Sequence, residues 1–243
     1  MEGVEVAKRR RIPKRDLKKP DEFISTASKM ISWTLENLRL ILVGTIIGAL
    51  IVLSIVLWRM RAKTQEVKAL NSFYRASDIL ISIEDPASKG YLEALDELER
   101  ILKDYPKTDA SQLAQLQLGR GLLYAKQYTK AVETYRRFLD SGPRERLYEL
   151  IAIHNLGYAY EGQGDYQKAL DSFQGLLDKG ESFLQSWGYL NVGRCYEKLG
   201  KRHEALTTYR TCLEKFPDSA MIPMVKHKIG ALEESPASTE PAK

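Results

Sequence analysis

The chain has 243 residues, enough for one or two domains, and its net charge of +5 is unevenly placed. Residues 1–39 carry ten Lys or Arg against six Asp or Glu; Arg59, Arg61 and Lys63 add three positive charges, which leaves residues 64–243 at −2. The isoelectric point near 9 therefore belongs to the flanks of one apolar stretch and gives no support for a nucleic-acid partner.

In chain order, residues 1–20 read as a disordered basic tail. The run KRRRIPKRDLKK from Lys8 to Lys19 combines dense like charge with Pro13, and its place before an apolar stretch makes anionic lipid the better physical target. Residues 21–39 predict an amphipathic helix, with Phe23, Ala27, Met30, Ile31, Thr34, Leu35 and Leu38 on one stripe. That segment either lies among lipid headgroups or extends the helix that follows. Leu40 to Trp58 is uncharged over 19 residues. As a helix it is roughly 28 Å long, the thickness of a bilayer's hydrocarbon core, so it predicts a transmembrane helix. Arg59 and Arg61 follow directly, with no small-residue cleavage site, so the span is read as an uncleaved anchor. Gly44 and Gly48 bare one face of this helix and mark a candidate contact for a second helix, which would make the chain a homodimer.

Two counts of charge bear on orientation. The whole tail is strongly basic, whereas the 20 residues nearest the span carry more Lys and Arg on the far side. A short polybasic terminus is hard to translocate and long domains cross regardless of charge, so the tail is expected in the cytoplasm and the rest outside it. From Ala49 to Asp85 there is neither Gly nor Pro, which predicts a helical stalk and first repeat helix together over 59–83. Asp85-Pro86 ends that helix, and Tyr91 to Tyr105 forms its partner.

Residues 84–234 are organised around LGYAYEGQGDYQKALDSF, Leu156 to Phe173. It predicts two short amphipathic helices joined at Gly164-Asp165, with Gly157 and Ala169 facing each other where the helices approach most closely. Such a pair cannot bury its apolar face alone, and copies are present. Gly119, Gly157 and Gly193 recur at steps of 38 and 36, as do Ala131, Ala169 and Ala205. Tyr135, Phe173 and Tyr209 recur in the second helix, and Pro106, Pro143 and Pro217 close units. The full units are expected at about 112–145, 150–183 and 186–219, after a weaker one containing Ala94. Asp218 then caps a last helix without a partner, and residues 235–243 predict a disordered tail. Cys195 and Cys212 sit in the two helices of one unit. They are small buried apolar groups, or a disulfide if the compartment is oxidising. His154, His203 and His227 are scattered, so no metal set or cofactor site is expected.

The L-G-x2-Y, A-x3-F and P positions of these units resemble the tetratricopeptide repeat (TPR) family. The fold class implied is all-α: a single transmembrane helix, then a TPR solenoid of three to four helix-turn-helix units with a C-terminal capping helix. The resemblance further implies that the first helix of each unit lines a peptide-binding groove. Carried over by position, the groove contains Arg120, Tyr124, His154, Asn155, Tyr158, Trp187, Asn191 and Arg194, with Leu113, Leu116, Gln117, Ile151, Glu161, Leu190 and Glu197 beside them. Asn155 fits the family's clamp for the C-terminal carboxylate of cytosolic chaperones, but Leu116, Trp187 and Asn191 depart from it. The layout also resembles the YfgM type of ancillary subunit of the bacterial SecYEG translocon. That likeness implies an inner-membrane adaptor with a periplasmic TPR domain, binding translocon subunits, periplasmic chaperones or emerging substrates. The alternative is a structural organiser of envelope assembly or division that self-associates through Gly44 and Gly48. No arrangement of residues suggests an enzyme.

Overall fold

The computed structural model describes residues 22–179 and 182–234, so the two terminal tails lie outside the described residues. Ten α-helices and no strand occur among them. The chain divides into two compact units between Arg61 and Ala62.

The first unit holds α1 (Glu22–Glu36) and the beginning of α2 (Leu38–Ser82). A turn at Asn37 separates them, where the Asn37 side-chain amide donates to the Trp33 carbonyl at 2.8 Å. Met30, Ile31, Trp33 and Leu35 are exposed, as are nearly all side chains from Leu40 to Trp58. The charge-free stretch is thus an apolar helix that finds no protein to cover it within the unit, and its length meets the requirement for a span.

The second unit is a stack of helical hairpins. The end of α2 packs with α3 (Lys89–Asp104), followed by α4 (Asp109–Tyr124) with α5 (Tyr128–Asp140), α6 (Arg146–Gly162) with α7 (Tyr166–Lys179), and α8 (Ser182–Lys198) with α9 (Arg202–Lys215). The helix α10 (Ile222–Glu234) closes the stack against α9. Local chemistry sets the ends. Ser88 and Thr108 accept hydrogen bonds from the Tyr91 and Ser111 amides and so cap α3 and α4. The turns inside the three full hairpins each contain a left-handed residue, which is Gly164 (φ 80°) and Gly200 (φ 73°) in two of them. In the first full unit Lys126 (φ 56°) takes that conformation without glycine's freedom.

The repeated small residues have a specific use, and it differs from the expected one. Gly157 faces the Phe173 ring rather than Ala169: a Cβ at Gly157 would lie 2.5 Å from the ring. Gly119 receives Tyr135 and Gly193 receives Tyr209 in the same way. Each of the three full units thus seats one fully buried aromatic of its second helix against the bare backbone of its first. The final helix starts later than expected. The Ser219 hydroxyl, not Asp218, accepts from the Met221 amide, and α10 begins at Ile222 with Pro223 harmless in its first turn.

Besides its core packing, α2 makes a polar contact with the start of α4. The Glu66 carboxylate accepts from the amides of Asp109 (2.8 Å) and Ala110 (2.9 Å), the first two residues of α4. These amides have no partner within their own helix, and the carboxylate also complements the positive end of the helix dipole. Cys195 and Cys212 are both free thiols and buried. Burial pushes the Cys195 thiol up to about 12, which keeps it protonated and unreactive.

Candidate functional site

The first helices α4, α6 and α8 carry the eight groove candidates, and the structure sorts them by what each side chain already touches. Arg120 on α4 is exposed and makes no hydrogen bond or ion pair with the described residues. Tyr124, one turn on, is 56% exposed. Its hydroxyl donates to the Glu84 carbonyl at 2.9 Å and its ring lies 6.0 Å from that of Tyr91. Two open depressions meet at this pair. One, about 480 Å³, runs toward Leu80, Ile83 and Tyr91; the other, about 490 Å³, toward Leu123, Tyr128 and Tyr158.

On α6 and α8 the candidates are largely spent on one another. The His154 ring meets Tyr158 edge-on at 4.8 Å and Trp187 at 6.1 Å. Asn191 is fully buried, and its amide nitrogen lies 3.2 Å from His154 Nε2 while its carbonyl oxygen accepts from the Tyr158 hydroxyl at 3.3 Å. An amide nitrogen only donates, so Nε2 is the accepting nitrogen and the imidazole is neutral. Burial, with the Arg194 charge nearby, lowers the His154 pKa to about 4. Asn155 is half-buried beside the Tyr135 hydroxyl.

Arg194 is not available in the way its position suggests. Its Nε and Nη2 donate to the two carboxylate oxygens of Glu161 at 2.7 and 2.6 Å, and its guanidinium stacks 5.2 Å from the Tyr158 ring. A planar fork held by a carboxylate and an aromatic face is a joint between α6 and α8. A similar joint follows, in which Lys228 on α10 reaches Glu197 on α8 at 3.2 Å and Glu197 also accepts from the Tyr209 hydroxyl. Sequence reasoning placed Glu161 and Glu197 in the groove and missed both pairings. The available signal was the recurrence of Glu four residues after the packing glycine in two successive units.

What remains open on this face is therefore Arg120, Tyr124 and Trp187, with Tyr158 partly exposed between them. This is an aromatic surface with one uncommitted cation, a chemistry suited to protein or peptide ligands. No group of three or more potential metal ligands occurs among the described residues.

A stack of helical hairpins, three of them closed by an aromatic on a glycine, defines a protein-interaction solenoid. The description "Tetratricopeptide repeat-like domain" matches residues 32–234, a stretch that includes the apolar part of α2, and the chain belongs to that family. A human protein, "Intraflagellar transport protein 88 homolog", is 29% identical over 115 residues. The match takes in 47% of this chain but only 14% of that protein. Among solved structures, the apo form of RapI superposes with TM-score 0.55 at 16% identity, covering 71% of this chain and 63% of RapI. A putative kinesin light chain with TPR-like repeats from Podosopora anserina superposes with TM-score 0.52 at 17% identity, covering 72% of this chain and 85% of that one. These likenesses establish a shared fold.

Proposed function

We propose that this chain is a single-pass protein of a bacterial inner membrane whose repeat domain works as a periplasmic adaptor, holding a protein or peptide near a site of translocation or chaperone recruitment. The observation that carries the adaptor reading is the set of large side chains left uncovered on the first-helix face, Arg120, Tyr124 and Trp187, in a domain whose other groove residues are engaged. Aromatic and arginine side chains of this kind dominate binding energy where proteins meet. The membrane part is supported by the charge-free, exposed start of α2 and by the basic residues on both sides of it.

The test places a photocrosslinking amino acid at Tyr124 or Trp187 in cells, with exposed Arg137 on α5 as the control, and identifies the crosslinked proteins by mass spectrometry. Translocon subunits or periplasmic chaperones captured from the first two positions and not from Arg137 are the expected outcome. Equal capture from all three positions, or capture restricted to division or outer-membrane assembly proteins, refutes the adaptor reading. The organiser alternative is favoured by Gly44 and Gly48, beside which nothing lies within 4 Å of where a side chain would begin. It requires that Gly44→Ile with Gly48→Ile abolish self-crosslinking in membranes while leaving capture at Tyr124 unchanged.

A further inference from the structure

The residue after the packing glycine is Arg120 on α4, Tyr158 on α6 and Arg194 on α8; the residue four after it is Leu123, Glu161 and Glu197. Two rungs of an inter-repeat ladder are built on this register. Arg194 binds Glu161 of the preceding unit, and Lys228 of the closing helix binds Glu197 of the unit before it. In each, a later element supplies the cation and an earlier one the carboxylate.

Arg120 stands in the register of Arg194, but among the described residues it forms no ion pair, and Glu84, which lines the same depression, is not paired with it. Counting back 37 residues from Leu123, the step that links Ala94 to Ala131, puts the corresponding position at Pro86, beyond the end of α2. The first rung of the ladder is therefore half made, with an exposed guanidinium at the junction of the two depressions described above. Both depressions offer apolar walls next to it: Leu80, Ile83 and Tyr91 on one side, Leu123, Tyr128 and Tyr158 on the other. Their carboxylates limit the charge a ligand can carry. Glu84 lines the first depression, and Glu161 lines the second although Arg194 neutralises it.

We propose that a carboxylate side chain from a bound segment completes this rung. The occupant is an extended peptide stretch with one Asp or Glu flanked on both sides by a bulky apolar residue: the carboxylate pairs with Arg120 and the apolar groups enter the two depressions. An acidic run is disfavoured, because its further charges fall beside Glu84. This inference rests on the groove reading and sharpens it from a protein ligand to a sequence class.

The full chain in mild detergent is titrated with fluorescent peptides blocked at both ends, carrying a central Glu with Leu two residues away on each side. Three other peptides are compared: one with central Gln, one with five consecutive Glu, and one with central Gln and a free C-terminal carboxylate. A charge-assisted pair predicts that the single-Glu peptide binds at least about ten-fold more tightly than the Gln peptide. Arg120→Gln erases that preference, Arg120→Lys keeps part of it, and both variants retain the circular dichroism of the parent. Equal binding of the Glu and Gln peptides overturns the proposal, as does a preference that survives Arg120→Gln. Tightest binding by the five-Glu or free-carboxylate peptide, or no binding by any of the four, also overturns it. If any of these happens while Tyr124 still captures its partners in cells, the groove reading stands and only the ligand class falls.

Discussion

Replacing Gly157 with alanine tests the packing that repeats along the domain, because two effects of known sign oppose each other at that site. In a helix interior, Gly→Ala gains about 1 kcal/mol from backbone entropy alone. Here the new methyl would sit 2.5, 2.6 and 2.8 Å from three ring carbons of Phe173. Carbon contacts are comfortable at about 3.5–4 Å, so the ring must retreat by roughly 1 Å. Phe173 is fully buried and has no free direction, and overpacking of that kind costs about 1–3 kcal/mol. The net expectation is a loss of about 1 kcal/mol, or roughly 2–4 °C for a domain of this size. Phe173→Leu alone loses about 1–2 kcal/mol as the ring is removed. In that background the alanine methyl finds room, so Gly157→Ala regains its entropic advantage and changes sign. Thermal melts of the four proteins, followed by circular dichroism at 222 nm in detergent, measure the cycle. A stabilising Gly157→Ala in the parent, or two strictly additive effects, would show that glycine and ring do not share the space assigned to them.

Glu66→Ala leaves the Thr108 cap of α4 in place but removes both acceptors for the Asp109 and Ala110 amides, and is expected to lower stability by about 1–2 kcal/mol in the same melts. Arg194→Ala should cost about 1–3 kcal/mol, because it leaves the Glu161 carboxylate half-buried and unpaired. With Glu161→Ala added, the total loss should be smaller than the sum of the two. His154 gives a pH signature: its folded pKa of about 4 lies below the 6.5 of an unperturbed imidazole, so the unfolded chain binds a proton first as pH falls. Its contribution is complete above pH 6.5 and declines toward pH 4, by up to about 3 kcal/mol, and His154→Gln should flatten that part of the stability curve; unchanged curvature refutes the assignment.

Much of the fold was legible because its packing is written in residue size at a fixed period. A glycine in one helix and a ring in the next recur at nearly the same spacing, and that spacing alone located three hairpins to within a few residues. Their mutual role was not legible, since Ala169 and Phe173 are equally plausible neighbours for Gly157 until the helices are docked. The groove was harder for a related reason. A polar residue on an inner helix face reads the same whether it meets a ligand or the next repeat, so Asn191, wholly buried, and Arg120, exposed and without an ion pair among the described residues, carried equal weight in the sequence. Glu66 was out of reach altogether, because its partners lie 43 and 44 residues away and are backbone amides without a sequence signature. Stacking supplies the missing distinction. A later element engages the carboxylate of an earlier one in two places, α8 with Glu161 and the closing helix α10 with Glu197. The first full hairpin has behind it α3 and the end of α2, and α2, the first helix of that pair, stops at Ser82 before it reaches the carboxylate position, so Arg120 is left without a partner of the Glu161 kind.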